Sequence, residues 1–207
     1  MNKIIKAAQY AADVHAGQTR KYNGLPYVVH SARVAARIAI HPEATEEMVM
    51  AAFLHDTVED TETTFEDIRF LFGDLVTDLV IDLTDPICTG LADTCKNKPR
   101  AERKEIARSY LMGACREAKI IKLIDRIDNL RDMPLDPPNL YTKMYVGESR
   151  ALAETIGEVS AALKAELLAI CDDHDARLRD AVPVIAAEES TPPVGWGIGK
   201  RVPTIES

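Results

Sequence analysis

Apolar residues recur along this chain with a helical period almost from end to end. Residues 2–15 place Ile4, Ile5, Ala8, Ala11 and Ala12 on one stripe. Gly17 and the run Asn23-Gly24-Leu25-Pro26 interrupt it and predict a loop, with at most a small β-hairpin near 19–28. A second helix is expected from Val29 to Ile40, ahead of Pro42. Thr45, followed by Glu46 and Glu47, has the form of an N-cap with acids in the first turn. It opens a helix carrying Met48, Val49, Ala52 and Phe53 and running to about Val58. Thr64 and Asp67 have capping-box spacing, with Asp in place of the usual Glu. That helix stops before Gly73, and residues 74–83 make another. Residues 84–99 read as a breaker-rich loop with Pro86, Gly90, Asn97 and Pro99. Further helices are expected at about 99–113 and 117–132 and, past Pro134, Pro137 and Pro138, at 140–156 and 158–181, divided at Gly157. From Pro183 the pattern dissolves. This predicts an all-α domain of about eight or more helices over residues 1–182, followed by a weakly ordered Pro- and Gly-rich tail over 183–207.

Composition narrows the function classes. Aromatic residues are only 5% of the chain, which leans away from a β-sandwich. A net charge of −8 argues against a nucleic-acid binder, because phosphate-backbone binding needs a basic surface. No run approaches the ~18 apolar residues of a membrane span, and the N-terminus lacks the continuous apolar segment of a signal peptide. A cytoplasmic protein is expected. Cys88, Cys95, Cys115 and Cys171 form no CxxC pair, and reduced thiols are the expectation. Cys88 and Cys95 share one loop, at a spacing wider than the ~2–4 residues usual for zinc pairs.

The segment Phe53-Leu54-His55-Asp56-Thr57-Val58-Glu59-Asp60 carries the densest chemistry. On a helix, His55 and Asp56 project about 100° apart and can grip one ion from two sides. Glu59 and Asp60 follow one turn later. Four ionisable groups on one turn repel each other unless a cation, a solvated cleft or a catalytic task compensates. His30 opens an otherwise apolar helix, and Asp125 shares a face with Asn129 at i, i+4 beside the stripe Ile121, Ile124, Ile127 or Asp128, and Leu130. Taken singly, His30 reads as a structural histidine and Asp125 as a surface acid paired with Lys122 or Arg126. Taken together, two His and two Asp form a mixed N/O set that suits Mn²⁺, Fe²⁺ or Zn²⁺ better than Ca²⁺.

Three ordered motifs carry a resemblance: Arg-Lys-x-x-Gly-x-Pro-Tyr-x-x-His at 20–30, His-Asp-x-Val-Glu-Asp-Thr at 55–61, and Lys-Leu-x-Asp-Arg-x-x-Asn-Leu-Arg at 122–131. With the helix pair over 65–84, they resemble the hydrolase domain of the RelA/SpoT family, within the HD phosphohydrolases. Coverage is about residues 3–170, and the small alarmone hydrolases of the metazoan SpoT-homologue type are the nearest in form. The resemblance implies one Mn²⁺ held by His30, His55, Asp56 and Asp125, with Glu59 and Asp60 orienting and deprotonating a water. It implies nucleotide contacts from Arg20, Lys21, Asn129 and, by a looser match, Tyr145. Lys98, with Arg100, Arg103 and Lys104, would neutralise the pyrophosphate or else form a solvated basic face. The implied reaction removes the 3′-pyrophosphate of ppGpp or pppGpp.

Departures from the pattern stand at Ser31, where Pro is usual but which suits a helix start, at Ile124, where Ala is usual, and at Asp128, where His or Tyr is common. Asp128 would alter the fit of the base if it faced the cleft. The same mechanism on (p)ppApp or on the 2′-phosphate of NADPH is the alternative enzyme reading. A catalytically silent nucleotide-binding module is the alternative from another class; such domains lose ligands or the Glu-Asp pair, and this chain retains both. The exposed face of the final helices is the candidate contact for a second copy.

Overall fold

The computed structural model describes residues 2–87, 95, 97–134 and 140–180. Among these residues ten α-helices follow one another: α1 (Lys3–Val14), α2 (Val28–Ala39), α3 (Glu46–Leu54), α4 (Thr57–Asp60), α5 (Phe65–Phe72), α6 (Asp74–Leu83), α7 (Arg100–Gly113), α8 (Arg116–Asp132), α9 (Leu140–Ile156) and α10 (Ala161–Asp180). A 3₁₀ turn, Gly157–Val159, joins the last two. Among the described residues the only β pairing is an isolated antiparallel bridge between Thr19 and Pro26, so the expected hairpin shrinks to one contact in the loop before α2.

Local chemistry sets most helix starts. Asn2 caps α1, Thr45 accepts from Met48 N–H at 3.2 Å, and Thr64 and Asp67 complete a reciprocal capping box. Gly73 ends α5 and starts α6 at φ 93°, a conformation that favours glycine. Ser31 does not cap: it lies inside α2 with its hydroxyl buried and unpartnered, while Tyr27 occupies the cap position.

Two helices form the centre. α3 is apolar on every side, and Met48 to Ala52 and Leu54 are all buried, as expected of a helix packed all round by α1, α2 and α6. α8 buries Ile120, Ile121, Leu123, Ile124, Ile127 and Leu130 against α2, α6 and α10. Each such side chain contributes about 1.5–3 kcal/mol by leaving water. Ile124, bulkier than the pattern expects, belongs to this buried face and sits beside Asp125.

One boundary corrects the sequence reading. The apolar helix expected to reach Val58 ends at Leu54, and a separate single turn begins at Thr57. His55 and Asp56 keep helical dihedrals, but the run of α-helix is interrupted there, and the Thr57 hydroxyl donates to the Leu54 carbonyl at 2.7 Å. The two residues therefore occupy a joint between helices, where periodicity gives no warning of a stop. The tail over 183–207 and Cys88 lie outside the described residues.

Candidate active site

Four side chains converge where α2, the α3–α4 joint and α8 meet. His30 Nε2 lies 3.1 Å from Asp125 Oδ1 and 3.6 Å from Asp56 Oδ2. His55 Nε2 lies 3.0 Å from Asp56 Oδ2 and 3.6 Å from Asp125 Oδ1. Both imidazoles are buried. Each has its Nδ1 engaged on the outer side, His55 with the Ala52 carbonyl at 2.9 Å and His30 with Asp128 Oδ2 at 2.6 Å. Those oxygens only accept, so Nδ1 carries the proton and Nε2 of the neutral ring keeps its lone pair. Neither Nε2 atom has a hydrogen-bond partner.

Lone pairs facing carboxylates repel unless protons or a cation lie between them. The titration directions express this demand. Burial would lower His55, but the Asp56 and Asp125 carboxylates outweigh it and raise its pKa well above 6.5. His30 is raised in the same way, Asp125 and Asp128 overcoming burial. Burial would raise Asp125, but the Lys122 charge and both imidazoles hold it well below the usual carboxylate range. Donors about 2.1 Å from one ion and at right angles are ~3 Å apart, close to the 3.0–3.6 Å spacings here. Orphaned buried nitrogens at these spacings fit a divalent cation.

Glu59 and Asp60 lie on α4, at the edge of this cluster. Glu59 Oε1 accepts the Asp85 backbone N–H at 2.6 Å, and burial raises its pKa despite Lys122. Asp60 is pushed up to about 7, by burial first and then by the Asp56 and Glu59 charges. A carboxylate of that basicity is suited to accept a proton near neutrality. A cavity of about 100 Å³ opens beside Glu59, lined also by Lys122, Arg126, Lys104 and Glu148. It has room for several waters or a phosphoryl group.

The expected nucleotide contacts separate into two groups. Arg20 and Asn129 face inward. Arg20, 5% exposed, donates Nε to Asp132 Oδ2 at 2.9 Å and Nη2 to Asn129 Oδ1 at 2.7 Å. Asn129 Nδ2 in turn donates to Asp125 Oδ1 at 2.5 Å. Lys21 and Tyr145 lie on an outer ladder. Lys21 sits 4.7 Å over the Tyr141 ring, Tyr141 stacks on Tyr145 at 6.0 Å, and Arg126 covers Tyr145 at 4.4 Å. Lys98 is exposed and pairs with Glu102 at 2.9 Å. Arg100 is paired with Glu148 and Lys104 with Asp85, so these residues form ion pairs rather than a bare basic face.

The sequence reading missed several participants. Lys122 Nζ lies 3.3 Å from Asp125 Oδ2 while lining the cavity, so the pair is part of the site and not a surface bridge. Tyr27 donates its hydroxyl to Asp56 Oδ2 at 2.7 Å and stacks on His15. Asp128 does not face the cleft; His30 and Arg33 take both of its oxygens. Lys122 and Tyr27 fall inside the quoted motifs, a signal that was available. Asp128 stood out as a departure from the motif, but nothing local pointed to its partners, which are 98 and 95 residues away.

With an all-α fold over its described residues and a His-Asp joint between two helices, the chain belongs to the HD domain family, whose model matches residues 7–171. Its relatives are more particular. It is 39% identical over 144 residues to the guanosine-3′,5′-bis(diphosphate) 3′-pyrophosphohydrolase MESH1 of Drosophila melanogaster, spanning 68% of this chain and 75% of that protein. The Homo sapiens protein of the same name is 36% identical over 149 residues, 70% of this chain and 78% of that protein. A solved structure described as a metazoan ortholog of SpoT that hydrolyzes ppGpp superimposes with a TM-score of 0.71 at 32% identity, covering 87% of this chain and 97% of that one. No helix among the described residues is long and apolar enough to cross a membrane.

Proposed function

We propose that this chain is a metal-dependent 3′-pyrophosphohydrolase acting on ppGpp and pppGpp, with Mn²⁺ as the ion. The observation that carries the reading is the pair of unpartnered imidazole Nε2 atoms facing the Asp56 and Asp125 carboxylates, beside Glu59 and Asp60. The names of the relatives support the substrate. The donor set, two nitrogens with two carboxylates, supports a transition ion such as Mn²⁺, with Zn²⁺ or Fe²⁺ as alternatives. When bound, such an ion supplies Lewis acidity to a phosphate oxygen and makes a water more acidic.

The chain's own groups do the rest. His30, His55, Asp56 and Asp125 hold the ion. Glu59, fixed by the Asp85 amide, orients the attacking water, and Asp60 accepts its proton. Water oxygen bonds to phosphorus, the bond to the ribose 3′-oxygen breaks, and the proton returns to that oxygen. The products are GDP or GTP and pyrophosphate. Lys122 and Arg126 face the departing charge from the cavity wall. Lys21 and the Tyr141–Tyr145 ladder offer the stacking and cationic surface for the nucleoside. Arg20 and Asn129 reach the nucleotide only where their donors exceed the bonds they already make. Lys98, released from Glu102, adds an ammonium at the rim. The setting is cytoplasmic, and the final helices are the contact for a second copy if one forms.

The test is a product assay. Protein stripped of metal and reloaded with Mn²⁺ is offered ppGpp, ppApp and NADPH separately, and products are resolved by anion exchange. Pyrophosphate release from ppGpp, abolished by chelation, is the expected result. Faster turnover of ppApp or NADPH would change the substrate and keep the mechanism. No turnover with metal bound would move the chain to the silent binding class.

A further inference from the structure

Behind the four candidate ligands runs a second circuit of side chains. His30 Nδ1–H donates to Asp128 Oδ2 at 2.6 Å. Arg33, one turn further along α2, grips the same carboxylate with Nε on Oδ1 at 2.7 Å and Nη2 on Oδ2 at 2.8 Å. That Nη2 also reaches Asp132 Oδ2 at 2.7 Å. Arg20 Nε takes the same Asp132 oxygen at 2.9 Å, Arg20 Nη2 takes Asn129, and Asn129 takes Asp125 Oδ1. Asp125 Oδ1 returns to within 3.1 Å of His30 Nε2. The circuit closes on itself, and two of its members are candidate ligands.

Asp128 is the member with no freedom left. Both of its oxygens accept charge-assisted bonds, and only 14% of its side chain is exposed. An imidazole without a partner on Nδ1 has two ways to fail a metal: it can turn over about its ring axis, or it can carry its proton on Nε2. A carboxylate fixed at Nδ1 removes both and makes Nε2 a better donor. We propose that Asp128 is a positioning residue of the metal centre. Held by Arg33, it sets the tautomer and rotation of His30, while the Asp132–Arg20–Asn129 arm keeps Asp125 in register with it. The proposal rests on the reading that His30, His55, Asp56 and Asp125 hold one ion. It gives Asp128 a role other than base selection.

The competing account is that these charges only brace α2 against α8. Metal affinity separates the two. The full chain, stripped of metal, is titrated with Mn²⁺ in a calorimeter, and the thermal stability of the metal-free form is followed in parallel. Asp128→Leu is expected to weaken Mn²⁺ binding about 10- to 100-fold. Asp128→Asn, which keeps one acceptor oxygen for Nδ1, loses less. Arg33→Met, which touches no ligand, loses a few-fold in the same direction. Asp128→Leu binding within twofold of wild type, while His55→Ala loses binding, would overturn the role of Asp128. So would equal losses in the Leu and Asn variants that simply track their loss of stability. If wild type binds no Mn²⁺, or His55→Ala keeps it, the ligand assignment itself fails, which is a separate result. If Asp128→Leu does not fold, Arg33→Met decides: unchanged affinity refutes the proposal.

Discussion

The site has two halves built on different principles. The half formed by α2, the α3–α4 joint and α8 is buried, and its polar atoms are tied to one another at short distances, with two nitrogens left over. The half formed by Lys21, Tyr141 and the start of α7, above the buried Tyr145, is more open and is held by ring faces and ion pairs that solvent partly screens. Buried groups have no alternative partner, so each bond there decides geometry. At the open rim water substitutes for a lost contact, and single changes should be mild. The inner half is thus suited to chemistry and the outer half to recognition.

The sharpest way to break that contrast is to remove one of the proposed ligands. His55→Ala is expected to lose bound Mn²⁺ and to lower kcat/KM by more than about 10³-fold, since the ion is worth several kcal/mol to the transition state. Full activity and metal content in this variant would show that the chemistry lies elsewhere. Glu59→Gln comes next. It keeps the ligand set, so metal should stay bound while kcat falls about 10²- to 10⁴-fold, because the water loses the group that orients it for proton transfer to Asp60. An equal loss of metal would make Glu59 a ligand instead.

Chelation tests the inner half without a mutation. An ion that binds only the folded state at ~100 times its Kd contributes about 2.7 kcal/mol. For a chain of this length that is about 5–10 °C in Tm. The effect should depend on pH. A carboxyl whose folded pKa is raised from 3.8 to about 7, as for Asp60, contributes stability below 3.8 that is lost as pH rises through about 7. The raised His55 works in the same direction. The metal-free protein should therefore melt lower at pH 8 than at pH 6, and Mn²⁺ should remove most of the difference. Asp60→Asn should flatten the metal-free profile; an unchanged slope would clear Asp60 of responsibility.

The same division governs what could be read from the chain. The caps at Thr45 and Thr64 and the stops before Gly73 and at Gly157 are local events, and local residue types announce them. The convergence of His30, His55, Asp56 and Asp125 was legible because three motifs fell in order. The break at His55 was not, because apolar periodicity runs through it unbroken. Arg20 read as a nucleotide contact, yet its bonds go to Asp132 and Asn129, 112 and 109 residues away. No window of sequence contains such a pair. Arginine has the same donors for a phosphate as for an internal carboxylate, and only the fold decides between them.

Smaller effects belong to the outer half. Lys21→Met removes the cation over Tyr141, and Tyr141→Leu removes the ring. Each should raise KM for ppGpp about 3- to 10-fold with kcat nearly unchanged, in keeping with cation–π and stacking contacts of ~1 kcal/mol. A fall in kcat instead, with KM intact, would mean that the ladder shapes the inner half and that the two halves are not separable.

Lys98 is the mildest case and the most delicate test of the rim. Its ammonium is exposed and spends itself on Glu102, one turn further along the chain. To meet a phosphate it must leave that partner, so the two mutations should act with opposite signs. Lys98→Met should raise KM by about two- to fivefold at low salt, with kcat unchanged. Glu102→Gln, which frees the amine, should leave KM the same or lower it by up to about twofold. Both effects should fade between ~50 and ~500 mM salt as the Debye length shrinks, whereas the His55 and Glu59 losses should not. A KM for Lys98→Met equal to wild type at low salt would remove Lys98 from the substrate contacts and leave it as half of a surface pair.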